Sequence, residues 1–480
     1  MRRVAVLVLS LCLIAWTADA KTLYVNAATG NDATTYANND INNPWASLCR
    51  ATNGASSCAT GSTNASEAAA AGDTVIVAAG TYSAAGTATR FLSPFNPANS
   101  GTNGSPITIR CGTANGCTAA LSLSEGPTIG CRSRNYIVWD DWIVNGTVSP
   151  STSDTGHVDF YDATGCELLN STIQGDTNHP NTGQGNYNGV RLEATTSIRI
   201  AGNEIYDIAE EGVYGGNQAC IMTYDADSSV IELNDLHDCG VGVYLKGTHD
   251  TPGESQANNV IRLNRVYDVR ADGIEIGSAQ GGSVYQNTVS CGTGSTSGIR
   301  IQSWAATTNI AASPHDFDIY NNGVIGCDDG MTYASQDNST AYWSAIRVYN
   351  NIFMNGDYGV HSTGPTSVGD TDHQHNIYHQ FATAVANFGS NLNLAGWQAL
   401  SQDDTAPAGI TSDPTITSET AETEDWHLVG GSPAIDLGRT FGGGTVDTGP
   451  YITGSETIGD GNGATSSSAP VRLRIRGEDQ

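Results

Sequence analysis

Glycine followed by Val, Ile or Met returns at Gly189, Gly212, Gly242, Gly273, Gly298, Gly330 and Gly359, and each recurrence opens a short alternating segment. The segments read GVRLEA, GVYGGN, GVYLKG, GIEIGS, GIRIQS, GMTYAS and GVHSTG. Alternation with period two is the signature of a strand that buries one face and exposes the other. A second register runs between them, at Asn203, Asn234, Asn264, Asn287, Asn322 and Asn351, as in NEIYD, NDLHD and NRVYD. A unit this short cannot bury its own apolar face and must stack on its copies. The chain is therefore expected to be all-β, a solenoid whose coils stack into long parallel sheets. The asparagines should superpose as a ladder, because an amide in a stacked interior needs a partner in the next coil.

Composition narrows the partners. Twenty Lys+Arg stand against 49 Asp+Glu in 480 residues, a net charge of −29. No basic cluster precedes the last few residues, so a nucleic-acid partner is excluded. With 39% hydrophobic residues the chain is too apolar to be a disordered acidic polymer. Residues 1–20 carry Arg2 and Arg3, an apolar run from Val4 to Trp16, and Ala18-Asp19-Ala20, the pattern of a signal peptide with its cleavage site. No second apolar run approaches the roughly 18 residues that span a bilayer. The expectation is a secreted or cell-surface monomer without a transmembrane segment. Ten cysteines remain after the leader and no CxxC pair occurs, which favours disulfides over zinc. Cys49 with Cys58, and Cys111 with Cys117, are close enough in sequence to staple local loops.

The opening and the ending carry a resemblance. TLYVNAATGND (22–32), AGDTVIVAAGTY (71–82) and GSPITIRCG (104–112) resemble the first coils of the secreted right-handed parallel β-helix proteins of the pectate-lyase-like superfamily. WHLVGGSPAIDLG (426–438), followed by DTGPY, is similar to the SPAID-x-G ending of many bacterial surface β-helix proteins. The resemblance implies a right-handed parallel β-helix of about 23–35 residues per coil. It also implies an organisation: a signal peptide (1–20), an N-terminal cap with the first coils (21–110), the helix repeats (111–400), a closing region (401–455) and a flexible Gly/Ser-rich tail (456–480). It does not fix a reaction, since function sits in a site grafted on the fold.

In such a solenoid the second and fourth residues after each repeat glycine point outward. The outward pairs are then Arg191/Glu193, Tyr214/Gly216, Tyr244/Lys246, Glu275/Gly277, Arg300/Gln302, Thr332/Ala334 and His361/Thr363. Lys246 has glycine in the same column on either side, at Gly216 and Gly277, leaving space around its ammonium group. Trp304, His249 and Trp343 fall in neighbouring loops, where aromatic faces could stack on sugar rings. Lyases of this superfamily cleave uronic-acid polymers by β-elimination, with a Lys or Arg base and often calcium as the neutralising cation. VGVYLKG resembles the context of the catalytic lysine in calcium-dependent pectate lyases, and Arg300 resembles the Arg of a Lys–Arg pair in chondroitinase B and alginate lyases. The resemblance thus implies an acidic polysaccharide as partner, Lys246 and Arg300 as catalytic residues, and Tyr214, Tyr244, Glu275, Gln302 and Trp304 as substrate-binding residues. Asp225 and Asp227, with Glu275, would hold Ca²⁺.

Two other readings compete. A glycoside hydrolase on this fold needs outward carboxylates about 5 to 9.5 Å apart, and the ladder offers only Glu193 and Glu275, three coils apart. A non-catalytic glycan-binding or adhesin-like surface protein fits the acidic charge and the SPAID-type ending. Asp328 and Asp329 read as turn residues, and His373 and His375 as a polar loop.

Overall fold

The computed structural model describes residues 20–55, 63–84, 93–121, 127–146, 155–175, 187–208, 217–247, 256–277, 279–291, 297–303, 314–335, 343–364, 370–401, 411–419, 424–435, 437–439, 445–446 and 449–451. The leader, Cys58, the GVYGGN segment with Tyr214, His249, Trp304 and the tail lie outside these residues.

Each coil gives one strand to each of three long sheets, of twelve, eleven and eleven strands. One turn of the coil runs from Tyr187–Thr196 in the third sheet, through Arg199–Ala201 in the first, to Glu204–Tyr206 in the second. All pairing within these sheets is parallel except the closing Ala384–Asn387 with Asn391–Leu392. The expected parallel β-helix is thus the observed fold. Strands of the first sheet bury alternate residues, such as Leu168, Ile200, Ile231 and Ile261, in one continuous apolar core.

The corner between the first and second sheets is where the asparagine ladder forms. From Gly202 to His375 one residue at each such corner adopts positive φ, including Leu233 (φ 58°) and Leu263 (φ 57°), an uncommon conformation for a bulky side chain. The residue after it is the ladder asparagine. The side-chain amide of Asn203 donates to Asn234 Oδ1 at 2.9 Å, Asn234 to Asn264 at 2.9 Å, and Asn264 to Asn287 at 3.0 Å. Asn322, Asn351 and Asn376 continue the series. Each amide also reaches back to a carbonyl of the preceding coil, Ile231 in the case of Asn264, and each Oδ1 also accepts the backbone N–H of the asparagine before it. The separations along the ladder run from 23 to 35 residues, so coil length varies while this corner stays in register.

The repeat glycines answer to packing. A methyl group at Gly298 would lie 2.1 Å from Val324 Cγ1, and one at Gly273 would lie 2.5 Å from the Gly298 carbonyl oxygen. In the coil after Gly189 the same place is held by Cys220, disulfide-bonded to Cys239. Cys111–Cys117 forms as expected, joined by Cys131–Cys166 and Cys291–Cys327, and Cys49 is also disulfide-bonded.

Both ends of the coil are covered. The helix Leu48–Asn53, buried throughout, packs at the first strand, and Leu394–Ser401 sets the wholly buried Trp397 against Phe388 and His373 at the last. His373 is therefore an interior residue, its Nε2 2.8 Å from the Tyr333 hydroxyl, and not part of a polar loop with His375. The stretch around SPAID lies along the outer face of the second sheet. Trp426 fills the space over Gly323 and joins Ile325, Ile352, Met354, Ile377 and Ile416 in a small separate core. Among the described residues no helix is long and apolar enough to cross a membrane.

Replacing Asn264 by Ala removes the acceptor of the Asn234 backbone N–H and side-chain amide and the donor to the Ile231 carbonyl, while Asn287 Oδ1 keeps the backbone N–H of residue 264, and should lower stability by about 3 kcal/mol. Asn264→Asp, which keeps the acceptor but loses the donor, should also destabilise. Thermal midpoints of the three proteins check this; an unchanged midpoint in the Ala variant would mean that the ladder does not hold the corner.

Candidate functional site

The outward face of the third sheet gathers the polar groups. Its first nine strands of eleven, in stacking order, are Ile129–Arg132, Thr155–Thr164, Tyr187–Thr196, Ala219–Asp227, Val241–Leu245, Asp272–Ile276, Ser297–Ser303, Asp329–Ser335 and Tyr358–Thr363. Pairing aligns Asp159, Arg191, Met222, Tyr244, Glu275, Arg300, Thr332 and His361 in one column. A second column, two residues on, carries Arg132, Tyr161, Glu193 and Tyr224, then Lys246 and Gly277 just past their strands, and then Gln302 and Ala334. The expected outward pairs hold at six of the seven coils. At the seventh the strand is Ala219–Asp227, so Met222 and Tyr224 occupy the positions assigned to Tyr214 and Gly216.

Around Glu275 five side chains meet. Tyr244, on the adjacent strand, donates its hydroxyl to the Glu275 carboxyl. Arg300, on the other side, lies 4.0 Å from Glu275 and 3.6 Å from Asp272. Gln302 Oε1 orients that guanidinium, accepting from Nε at 3.2 Å and Nη2 at 2.8 Å. Burial pushes the Glu275 carboxyl up to about 8, the Asp272 charge adds to the shift, and Arg300, Tyr244 and Lys246 offset part of it. Glu275 is thus a neutral acid at pH 7. The Tyr244 phenol is raised well above its ordinary range by burial and by Glu275. Lys246 donates to Asn217 Oδ1 at 2.6 Å and sits 5.3 Å from the centre of the Tyr224 ring.

Two further clusters flank this one on the same face. Toward the N-terminus, Arg191 donates to Glu193 at 2.9 and 3.0 Å and lies over the other side of the Tyr224 neighbourhood, 4.2 Å from the ring centre. Asp159 is beside it, pushed up to about 7 by burial against the opposing pull of Arg191. Toward the C-terminus, Asp329 bonds His361 Nδ1 at 2.8 Å and the Thr332 hydroxyl at 2.9 Å.

The structure therefore brings Lys246, Tyr244, Glu275, Arg300 and Gln302 onto three neighbouring strands. It does not bring the calcium ligands together. Asp225 and Asp227 end a strand two removed from that of Glu275, and Asp227 accepts the backbone N–H of Ala257 at 2.6 Å. Glu275 instead bonds the Tyr244 hydroxyl and lies 4.0 Å from the Arg300 guanidinium, whose charge opposes a cation there. Among the described residues no group of three or more His, Cys, Asp or Glu could hold a metal ion. These donors do not fit calcium. Trp343 packs inside the coil against Tyr333, with ring centres 5.1 Å apart, and so offers no ring to a sugar.

Asp159, Tyr224, Asp272 and Asp329 were not expected in the site. Asp272 and Asp329 directly precede repeat glycines and open strands, whereas Asp328 alone sits in the bend. The recurring Asp-Gly was the available signal.

Comparison with known proteins agrees on the fold. Residues 151–312 match the family model described as a right-handed β-helix region, which gives the hand of the coil. No curated protein sequence matches this one. Among solved structures, the chain is similar to a rhamnogalacturonan lyase at 14% identity (84% of this chain, 91% of that one, TM-score 0.46). It is also similar to a mannuronic-acid-specific polysaccharide family 6 lyase from human gut microbiota at 15% identity (73% and 84%, TM-score 0.43). A third is the GH136 lacto-N-biosidase from Eubacterium ramulus at 13% identity (82% and 68%, TM-score 0.43).

The buried carboxyl has a pH signature. Between about 4.5 and 8 folded Glu275 keeps a proton that the unfolded chain has released, so its contribution is fully present at the acid end and is lost as pH rises through that window. The thermal midpoint should fall from pH 5 to pH 8 more steeply in the parent than in Glu275→Gln, by an amount on the order of 2–4 kcal/mol in stability. Parallel curves would show that the carboxyl is not held protonated.

Proposed function

We propose that this chain is a secreted polysaccharide lyase that cleaves an acidic glycan by β-elimination on the outward face of the third sheet. The observation that carries the reading is a neutral Glu275 beside Arg300, one strand from Tyr244 and Lys246, in a chain otherwise so acidic. Arg300 stands 3.6 and 4.0 Å from its two acids and is held at Nε and Nη2 only by the neutral Gln302 amide oxygen, which an incoming uronate carboxylate can displace from the fork. Neutral Glu275 shares its proton with the same carboxylate. Together they withdraw negative charge from it and acidify the neighbouring C5–H.

Lys246 takes that proton as general base; the C5–H and C4–O bonds break, a C4=C5 double bond forms, and the leaving oxygen takes a proton from solvent, to which Lys246 then releases its own. Neutralisation by Arg300 and Glu275 replaces the role that calcium plays in the families the sequence resembles.

Hydrolysis is the second reading, favoured by one observation. Asp272 and Glu275 share a strand and both stand within 4.0 Å of the Arg300 guanidinium, and a carboxyl pair of which one member is held neutral suits an acid and a nucleophile or base.

The experiment is incubation of the purified protein with a panel of polyuronates. Elimination gives a conjugated, ultraviolet-absorbing unsaturated uronate; hydrolysis gives reducing ends without it. The account expects absorbance to rise, to survive chelation, and to fall at least about 100-fold in Lys246→Ala with the thermal midpoint nearly unchanged. Full activity in that variant removes Lys246 from the mechanism. Reducing ends alone promote the hydrolase, and no product of either kind leaves a glycan-binding surface protein.

A further inference from the structure

Basic side chains on the third sheet follow a rule that single sites do not require. In its two outward columns they occur at Arg132, Arg191, Lys246, Arg300 and His361. These residues belong to the first, third, fifth, seventh and ninth strands of the stack. The strands between them put Asp159 and Tyr161, Met222 and Tyr224, Glu275, and Thr332 and Ala334 in the same columns, with no basic residue among them. The period is two strands, or about 10 Å.

Avoidance of like-charge stacking would explain an alternation of signs. It does not explain the atoms left over. Arg191 is 5% exposed, and its Nη1 has no hydrogen-bond partner although Nε and Nη2 are both bonded to Glu193. Asp159 Oδ1, alongside, is also buried without a partner. Buried donors and acceptors are nearly always satisfied, so such a pair marks a place where something else bonds. An unpaired guanidinium N–H next to a carboxyl that is half protonated near neutrality suits a carboxylate with a hydroxyl beside it, as on a uronic-acid ring.

We infer that the third sheet is a multi-subsite track for an extended polyuronate that lies across the strands and presents one carboxylate per disaccharide to the protein. This rests on the polyuronate reading above and names the polymer geometry it takes. In an extended ribbon successive sugars turn over, so every second carboxylate faces the same way, and a two-strand period of cations matches a disaccharide. Arg300 holds the carboxylate at the reacting sugar, Arg191 one on the far side of Lys246, and Arg132 and His361 the two ends. The track spans nine strands, roughly 40 Å.

The test is titration calorimetry with polymannuronate oligomers of graded length and neutral cello-oligosaccharides as control, with ultraviolet absorbance followed in parallel. Affinity should climb in steps, about tenfold for each added disaccharide and little for each odd sugar, until the track is full. Arg132→Gln, a half-buried end position, should remove the last step alone, and Arg191→Lys should weaken a middle step while keeping the fold. Growth that is smooth in single sugars, a plateau at the trisaccharide, or an Arg132→Gln curve identical to the parent would each overturn the track. Steps without any absorbance change would keep the track and remove the lyase; absorbance without steps would do the reverse.

Discussion

The structure depends on one repeated hydrogen bond, that of a buried asparagine amide to the asparagine of the next coil. Because the ladder satisfies a donor and an acceptor at each layer, slipping one coil against the next would leave several polar groups unpaired in an apolar interior. Coil lengths can then vary between 23 and 35 residues without disturbing the stack. Length differences are absorbed elsewhere, and residues two positions apart on the third sheet stay aligned with their counterparts from strand to strand. Fixed alignment is what turns a linear sequence into columns of chemistry.

On two faces those columns are structural. Tyr285, Tyr320 and Tyr349 stack on the first sheet with ring centres 4.7 and 4.9 Å apart, and Tyr206, His237 and Tyr267 stack on the second. The third face differs in its energetics. It buries carboxyl groups far enough to hold Glu275 and Asp159 toward their neutral forms, which costs stability as pH rises. A surface that stores such groups beside Arg191, Lys246 and Arg300 is arranged for charge to arrive from outside.

Much of this was legible in the sequence because the ladder asparagines and repeat glycines are position-specific. Asn has to supply both donor and acceptor at its corner, and Gly is required where a methyl group would strike the second sheet or the next carbonyl. Where another residue solved the same problem, the reading failed. Cys220 took the glycine position and moved the outward pair to Met222 and Tyr224, while the Gly-Val at 212 belonged to no described strand. Asn376 extended the ladder beyond the six positions expected. Asp272 and Asp329 escaped because Asp before Gly ordinarily marks a turn, and only the strand pairing shows that these open strands instead. Trp343, Trp426 and His373 were hidden for another reason: nothing local distinguishes a ring that faces sugar from one that seals a coil.

The central claim is that an acidic glycan lies on the third sheet with a carboxylate at Arg300. A crystal structure of the protein with a polymannuronate oligomer tests it most directly. The account predicts the glycan running across the strands of that sheet, one carboxylate in hydrogen-bond contact with Arg300 and Glu275, and C5 of that sugar facing Lys246. A glycan bound to either of the other two sheets, or on the third with only hydroxyl groups facing Arg300, would contradict it.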